Sequence, residues 1–433
     1  MKKRHLIIAA HDGVFTYYTG VGTIVQNTIQ TLSEMSFVDS LRISVAGIYI
    51  DKNSDVFNAT TYERVQSLVD KYNGSVISLS NDTNGLVEND TWKDPINWKI
   101  ACNSLVSALN TVLNEDEDNF IMLHDTVFLY FEISQRQLRS ELKKTIHSFY
   151  LPHSSGMCHY YTEESWNKIR LAYEKQCFSA IMSNPRSRLI ATGHNFARHL
   201  MENYDVSFDS RDFLTNGLLF ENYHNTANRF CLYEDIKRFA PCLPQNSKII
   251  FSWGRLSQAK GFYELLLAWE KIANKYPDHW LVLQAPTSCI EESDYFKQFS
   301  GRVNNVPRVI HIDDFSPDIW QTFLRYKNTD IVCLASTMDP NPHTPIEAKL
   351  FCKNMNYIIV ASFKDGIKDS FFNGESVPID DPCNIDDFAD KLIQAIETNP
   401  NKRLEMSNSN CSSVGLFDYR RNVIDFLIKE GVL

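Results

Sequence analysis

Short apolar runs alternate with longer amphipathic stretches along nearly the whole chain. Runs of four to eight apolar residues bounded by polar or turn residues predict buried strands, and a period near 3.6 between them predicts helices. In the first half the runs HLIIAA, RISVAGIYI, SVISLS, NFIML and TIHSFYL are expected as strands, interleaved with helices such as TIVQNTIQTLSEM and WKIACNSLVSALNTVL. In the last of these, Ile100, Leu105, Leu109 and Leu113 recur at helical spacing. Polar runs at 81–94 and 114–119 are expected as surface loops. The rhythm restarts after the turn-rich PCLPQNS (241–247), with strands expected at KIIFSW, WLVLQA, VIHI, DIVCLAS and YIIVAS. The stretch GFYELLLAWEKIANKY puts Phe262, Leu265, Trp269, Ile272 and Tyr276 on one helical face. Strands alternating with helices make an α/β chain of two doubly wound, Rossmann-like halves. The expected limits are 1–225 for the first, a linker at 226–247, 248–415 for the second, and a closing helix at 416–433 crossing back to the first. Ligands of such sheets bind beyond the carboxyl ends of the strands, so the loops there and a central cleft between the halves are the expected site.

Composition narrows the class. At 433 residues the chain exceeds one ordinary domain, and 43% hydrophobic with 22% charged residues is usual for a globular protein. A formal charge of −10 argues against nucleic acid or an anionic membrane as the main partner. Ten scattered cysteines without a CxxC pair fit neither a zinc site nor a disulfide scaffold, and those in apolar runs such as IVCLAS read as buried thiols. The opening MKKRHLIIAAHDG is too short in its apolar part for an export signal, and no stretch reaches the ~20 apolar residues of a membrane span. A reducing cytoplasm is the expected location, with the Asn81-Asp82-Thr83 sequon unused.

Candidate chemistry concentrates in the second half. In GRLSQAKGF, Arg255 ends a strand and Lys260 opens the following helix, so two cations and a helix N-terminus meet at one point suited to a pyrophosphate. Solvated surface charges are the plain alternative. After DIVCLAS comes Asp339-Pro-Asn-Pro-His-Thr-Pro-Ile-Glu347, which sets one carboxylate in a loop and another in the first turn of a helix, with Pro345 at its first position. A carboxylate there can grip a ribose through two hydroxyls. Alone, it reads more simply as a helix-starting Glu complementing the dipole.

In this order and at these spacings the two clusters resemble the C-terminal domain of the GT-B-fold retaining glycosyltransferases, the GT4-type family (glycosyltransferase group 1). The resemblance covers the C-terminal half. It implies that Arg255 and Lys260 bind the donor diphosphate, that Glu347 grips the ribose, and that Asp339, in place of the usual Glu, contacts the donor sugar. It also implies that Asn341, His343 and Thr344 line the donor site. The family's Pro-Phe-Gly after its first Glu is replaced by Pro340-Asn341-Pro342, and Pro342 offers no N–H. Both changes fall at the sugar end.

The first half matches less closely. Gly20-Val21-Gly22-Thr23 occupies the place of the family's glycine-rich loop, where Gly20 and Gly22 would let backbone N–H groups approach the donor's distal phosphate. Tyr17 and Tyr18 beside it are candidates for the acceptor. Histidines gather at His124, His147, His153 and His194. The family's strand-end His against the donor sugar points to His153, with His124 second and otherwise on the acceptor side. Asn216-Gly217 resembles the family's Asn-Gly element and is expected as a turn.

The resemblance implies transfer of a glycosyl group from a nucleoside diphosphate sugar to a hydroxyl of a small soluble acceptor, with retention. The catalytic set would be Arg255, Lys260, His153 and Asp339, with a UDP-sugar the favoured co-substrate and a GDP-sugar the alternative. No DxD element stands in a strand-end loop, and Asp313-Asp314 reads as a helix cap, so no cofactor or metal is expected. Two other readings stay open: a relative of the same fold that joins cyclitols or epimerises sugar nucleotides, and a non-catalytic nucleotide-sugar binder. A NAD enzyme is disfavoured because the third glycine of G-x-G-x-x-G is missing.

Overall fold

The structure is a computed structural model describing residues 2–17, 19–36, 38–80, 94–158, 164–227, 229–287, 294–314, 316–340, 342–352 and 355–433. The chain divides into two compact units, residues 1–216 with 419–433, and residues 217–418. The division falls between Asn216 and Gly217, ahead of the 226–247 segment in which the turn-rich sequence suggests a linker.

The first unit holds a six-stranded parallel sheet in the order β3-β2-β1-β4-β5-β6. Its strands are β1 (Arg4–Ala10), β2 (Leu41–Ile48), β3 (Val76–Leu79), β4 (Asp118–His124), β5 (Ile146–Leu151) and β6 (Ser187–Leu189). Leu6, Ile7, Ile8, Ala9 and Ala10 are all fully buried, which is why β1 reads as an unbroken apolar run: helices cover both faces of a parallel sheet. Ala9 pairs with Ala46 of β2 on one side and Leu123 of β4 on the other, so the carboxyl ends of β1 and β4 adjoin where the winding changes direction. The helix Gly20–Glu34 follows β1 and is capped by the Thr19 side chain. The last helix, Tyr419–Lys429, belongs to this unit: the Tyr419 and Thr28 hydroxyls lie 2.9 Å apart and Arg188 pairs with Glu430.

The second unit repeats the plan in the order β12-β11-β10-β7-β8-β9. Its strands are β7 (Lys248–Trp253), β8 (His279–Gln284), β9 (Val309–Ile312), β10 (Thr329–Leu334), β11 (Ile358–Ser362) and β12 (Val377–Ile379). Successive strand residues serve opposite faces. Ile250, Leu281, Ile331 and Val360 join one core with Leu265, Trp269 and Ile272 of the helix Phe262–Ile272. Ile249, Phe251, Val332 and Ile359 join the other with Ile319 and Phe323 of the helix Pro317–Leu324 and Phe351 of the helix Thr344–Cys352. Here the direction changes between β7 and β10, whose register sets Phe251 beside Val332. The edge strands β6 and β12, three residues each, are too short to leave a periodic signal. Tyr276 lies beyond the helix Phe262–Ile272, after a 3₁₀ turn at Ala273–Lys275. Cys333 is fully buried within β10, as its apolar run implies.

Candidate functional site

At the switch point of the second sheet the ends of β7 and β10 bring the two charged clusters together. β7 ends at Trp253, Gly254 and Arg255 follow it, and Gln258–Lys260 form a short 3₁₀ turn before Gly261 and the helix Phe262–Ile272. Gly261 has φ +65°, and a Cβ there would stand 2.1 Å from the Ala335 carbonyl oxygen. Only glycine lets this turn lie against the end of β10. The amide of Thr337 donates to the Ala259 carbonyl at 2.9 Å, and its hydroxyl to Gln258 at the same distance. The loop after β7 is thereby bound to the loop after β10.

Within this frame Lys260 donates to Asp339 Oδ2 as an ion pair. Arg255 is exposed and makes no hydrogen bond or ion pair among the described residues. The sequence offered both cations to a ligand; the fold gives one of them a carboxylate partner and leaves the other directed at solvent. Glu347 lies in the first turn of the helix Thr344–Cys352 and accepts from the Trp253 indole Nε1 at 3.1 Å. Burial pushes its carboxyl up to about 7, opposed by the indole hydrogen bond and the Lys260 charge. The His343 carbonyl takes the amides of Ile346 and Glu347, each at 2.9 Å, and starts the helix. Pro345 occupies the second helical position rather than the first, still where its missing N–H leaves no bond unmade. Asn341 lies outside the described residues, and Thr344 is half-buried at the start of the helix. Asp313 does not cap a helix as its sequence suggests: its carboxylate holds the amide and hydroxyl of Thr287 at 2.6 Å, while Ser316 caps the helix Pro317–Leu324.

Trp253 went unrecognised as a site residue because a strand tryptophan reads as core. It does stack on Phe251 and Trp320, but its N–H is aimed at Glu347.

In the first unit the switch point is organised by carboxylates. Asp12, fully buried after β1, accepts from the amide of Gly13 and the hydroxyl of Thr16, each at 2.9 Å. It also accepts from the Thr19 amide at 2.7 Å and the Thr19 hydroxyl at 2.6 Å. Gly20 and Gly22 are in the first turn of the helix itself, not in a loop before it. A Cβ on Gly22 would stand 2.5 Å from Asp12 Oδ2, whereas one on Gly20 would meet nothing within 4 Å. The absent side chain at 22 thus serves Asp12, and the open approach is at 20. Tyr17 is 45% exposed with its hydroxyl 3.4 Å from that of Thr23, and Tyr18 lies outside the described residues.

His124 at the end of β4 and His153 after β5 are stacked with their planes 4° apart, Nδ1 of the first 3.2 Å from Nε2 of the second. Asp125 lies between these segments and its Oδ2 is 3.8 Å from His11 Nδ1. Its φ of +70° is strained for a residue with a side chain, of the order of 1–2 kcal/mol. Burial lowers both stacked imidazoles, His153 to about 4, so they are neutral at pH 7. Burial also works to raise the Asp125 carboxyl, but His11, the Thr126 amide and Arg170 outweigh it and keep the carboxyl below its ordinary value. Behind this cluster Arg170 donates to Thr126 and Ser154 and pairs with Glu174 at 2.7 Å, and Glu174 accepts the Gly156 amide. Neither residue stood out in the sequence; the spacing of Arg170 and Glu174 by one helical turn is a signal that could have marked this support. His147 and His194 stay apart from the cluster, one against Phe120 and the other against Phe213.

Among the described residues no group of His, Cys, Asp and Glu is placed to hold a metal ion, and no helix is long and apolar enough to cross a membrane.

Residues 234–411 match the family model described as glycosyl transferases group 1. A stretch of 175 residues is 29% identical to an uncharacterized glycosyltransferase of Haemophilus influenzae, covering 38% of this chain and 46% of that protein. The match thus spans about half the length of that relative. Over 98% of the chain and 97% of the other, the fold is similar to a sucrose-phosphate synthase from Thermosynechococcus elongatus, with TM-score 0.70 and 15% identity. It is also similar to an α,α-trehalose 6-phosphate synthase from Burkholderia multivorans (0.69, 12%, 99% of each chain). A third similar structure is a trehalose-6-phosphate protein from E. coli bound with UDP-2-fluoro glucose (0.67, 13%, 98% of each chain). At these identities the likeness is one of fold, and the fold is GT-B: two Rossmann-like domains, each on a parallel sheet.

Proposed function

With residues 234–411 a group 1 glycosyltransferase domain, we propose that the whole chain transfers a glycosyl group from a nucleoside diphosphate sugar to a hydroxyl of a small acceptor, with retention of configuration and without a metal ion. The observation that carries this reading is the cluster at the β7 and β10 ends: Arg255 exposed, Lys260 held by Asp339, and Glu347 held by Trp253.

In this reading Arg255 and Lys260 meet the charge that develops on the diphosphate as the bond from its oxygen to the anomeric carbon breaks. The new bond forms to the acceptor oxygen on the same face, and the acceptor proton passes to the departing phosphate, so no protein nucleophile is needed. Glu347 takes the ribose hydroxyls, Asp339 the sugar side, and Gly20 the open approach for a phosphate oxygen. His153, a neutral imidazole, is assigned to the sugar, and His124, Tyr17 and Tyr18 to the acceptor. UDP is the favoured base, supported by the bound donor named for the E. coli structure.

A thermal-shift screen against UDP, GDP, ADP, TDP and their sugars tests the reading, since a ligand of the native state alone raises the midpoint. Absence of any shift would sink it. Replacement of Lys260 by Ala is expected to lower turnover about 10²-fold or more while the fold persists; near-normal turnover would remove its assigned role. The anomeric configuration of the product decides retention.

A further inference from the structure

The helix that carries Glu347 also carries a charge unused by the mechanism. Lys349 is fully buried, and its ammonium donates to the Ser370 carbonyl and to Glu375 Oε2, both at 2.8 Å. Glu375 is 3% exposed and its Oε2 also accepts the Phe372 amide at 2.8 Å. The rings of Phe371, Phe372 and Phe417 lie 5.5, 5.4 and 5.2 Å from the ammonium.

A buried ion pair seldom adds net stability over apolar side chains of the same volume, because desolvation offsets the attraction. What it adds here is direction. Ser370 ends the 3₁₀ turn Asp365–Ser370, and Gly366 in that turn donates its amide to the Asp339 carbonyl at 3.1 Å. A continuous set of bonds therefore runs from Lys349 through Ser370 and the turn to Asp339. Glu347, two residues from Lys349 on the same helix, is held separately by Trp253.

We infer that the Lys349–Glu375 pair is a positioning element for the sugar end of the site: it anchors the turn 365–370, which in turn places Asp339, while Arg255 and Glu347 at the nucleotide end are held without it. This rests on the assignment of Asp339 to the donor sugar and of Arg255 and Glu347 to the nucleotide.

The test compares wild type with K349M/E375M, which removes both charges, and with K349M, which leaves Glu375 buried and unpaired and is expected to fold poorly. For the double variant the expected result is a ligand-free Tm within about 3 °C of wild type, because matched apolar groups replace the pair. UDP affinity should stay within about threefold, UDP-glucose affinity should fall at least tenfold, and amide exchange at Gly366 should quicken at least tenfold. If the base is guanine, GDP and GDP-glucose take their place. A merely structural pair would move both affinities together or neither. Unchanged UDP-glucose affinity with unchanged exchange at Gly366 would overturn the inference alone. An unfolded double variant would overturn it too, making the pair a folding element. A wild type that binds no nucleoside diphosphate would bring down the functional reading first, and this inference with it.

Discussion

Glu347 is the group whose ionisation couples the proposed ribose contact to pH. Its carboxyl is pushed up to about 7 by burial, against the opposing effects of the Trp253 hydrogen bond and the Lys260 charge. A protonated carboxyl can accept ribose hydroxyls only poorly; an ionised one accepts two. With a midpoint near 7, roughly a tenth of the molecules are ionised at pH 6 and nine tenths at pH 8, so donor affinity should rise about tenfold, ~1.4 kcal/mol, across that interval. The assay is isothermal titration with a nucleotide sugar rather than free UDP, because the terminal phosphate of a free diphosphate itself titrates near pH 6. E347Q should bind more weakly at pH 8 and lose the slope; W253F, lacking the indole donor, should move the midpoint upward. A flat profile in wild type, or the same slope in E347Q, would refute the argument. Stability carries the opposite sign. The folded value lies above the ordinary 4.5, so the proton favours the folded state and stability falls as pH rises from about 4.5 to about 7. The full penalty, roughly 3–4 kcal/mol at ~1.4 per pH unit, is reduced by the partial exposure of the side chain. E347Q should therefore raise Tm at pH 8 and leave it unchanged at pH 4.

Three further outcomes follow from single side chains. R255A should leave Tm within ~1 °C, since Arg255 is exposed and bonds to nothing among the described residues, yet weaken nucleotide binding about 10- to 100-fold; an unchanged titration would remove it from the site. G261A combines a left-handed φ with a Cβ 2.1 Å from a carbonyl, so about 2–5 kcal/mol of stability and a Tm fall of ~5–15 °C are expected by calorimetry, and a neutral effect would contradict the loop geometry. G22A should lose about 1–2 kcal/mol despite alanine's better helix propensity, because Asp12 is held by its own hydrogen bonds and cannot yield; a denaturant midpoint equal to or above wild type would show otherwise.

The strands and helices that position the site were legible because burial on both faces writes long apolar runs, as in HLIIAA and KIIFSW, and because caps and prolines mark the helix starts. Arg255, Lys260, Asp339 and Glu347 could be singled out from their order and spacing against a known pattern. The edge strands β6 and β12 could not, for three residues carry no period. Neither could Trp253, whose apolar bulk concealed its N–H, nor the partnership of Lys349 with Glu375 across 26 residues of chain.

The division runs between local and non-local physics. Periodicity, capping and the glycine positions are local, so the one-dimensional chain carried the two-sheet plan and the candidates at its strand ends. Which charge meets which depends on distance in three dimensions. Only the folded chain pairs Lys260 with Asp339 and leaves Arg255 to solvent. Only the folded chain turns Gly22 toward Asp12 and brings His11, His124 and His153 around a strained Asp125. The pKa of Glu347 belongs to the same class. Its value comes from the dielectric and the donors that surround it, and no stretch of sequence around residue 347 contains them.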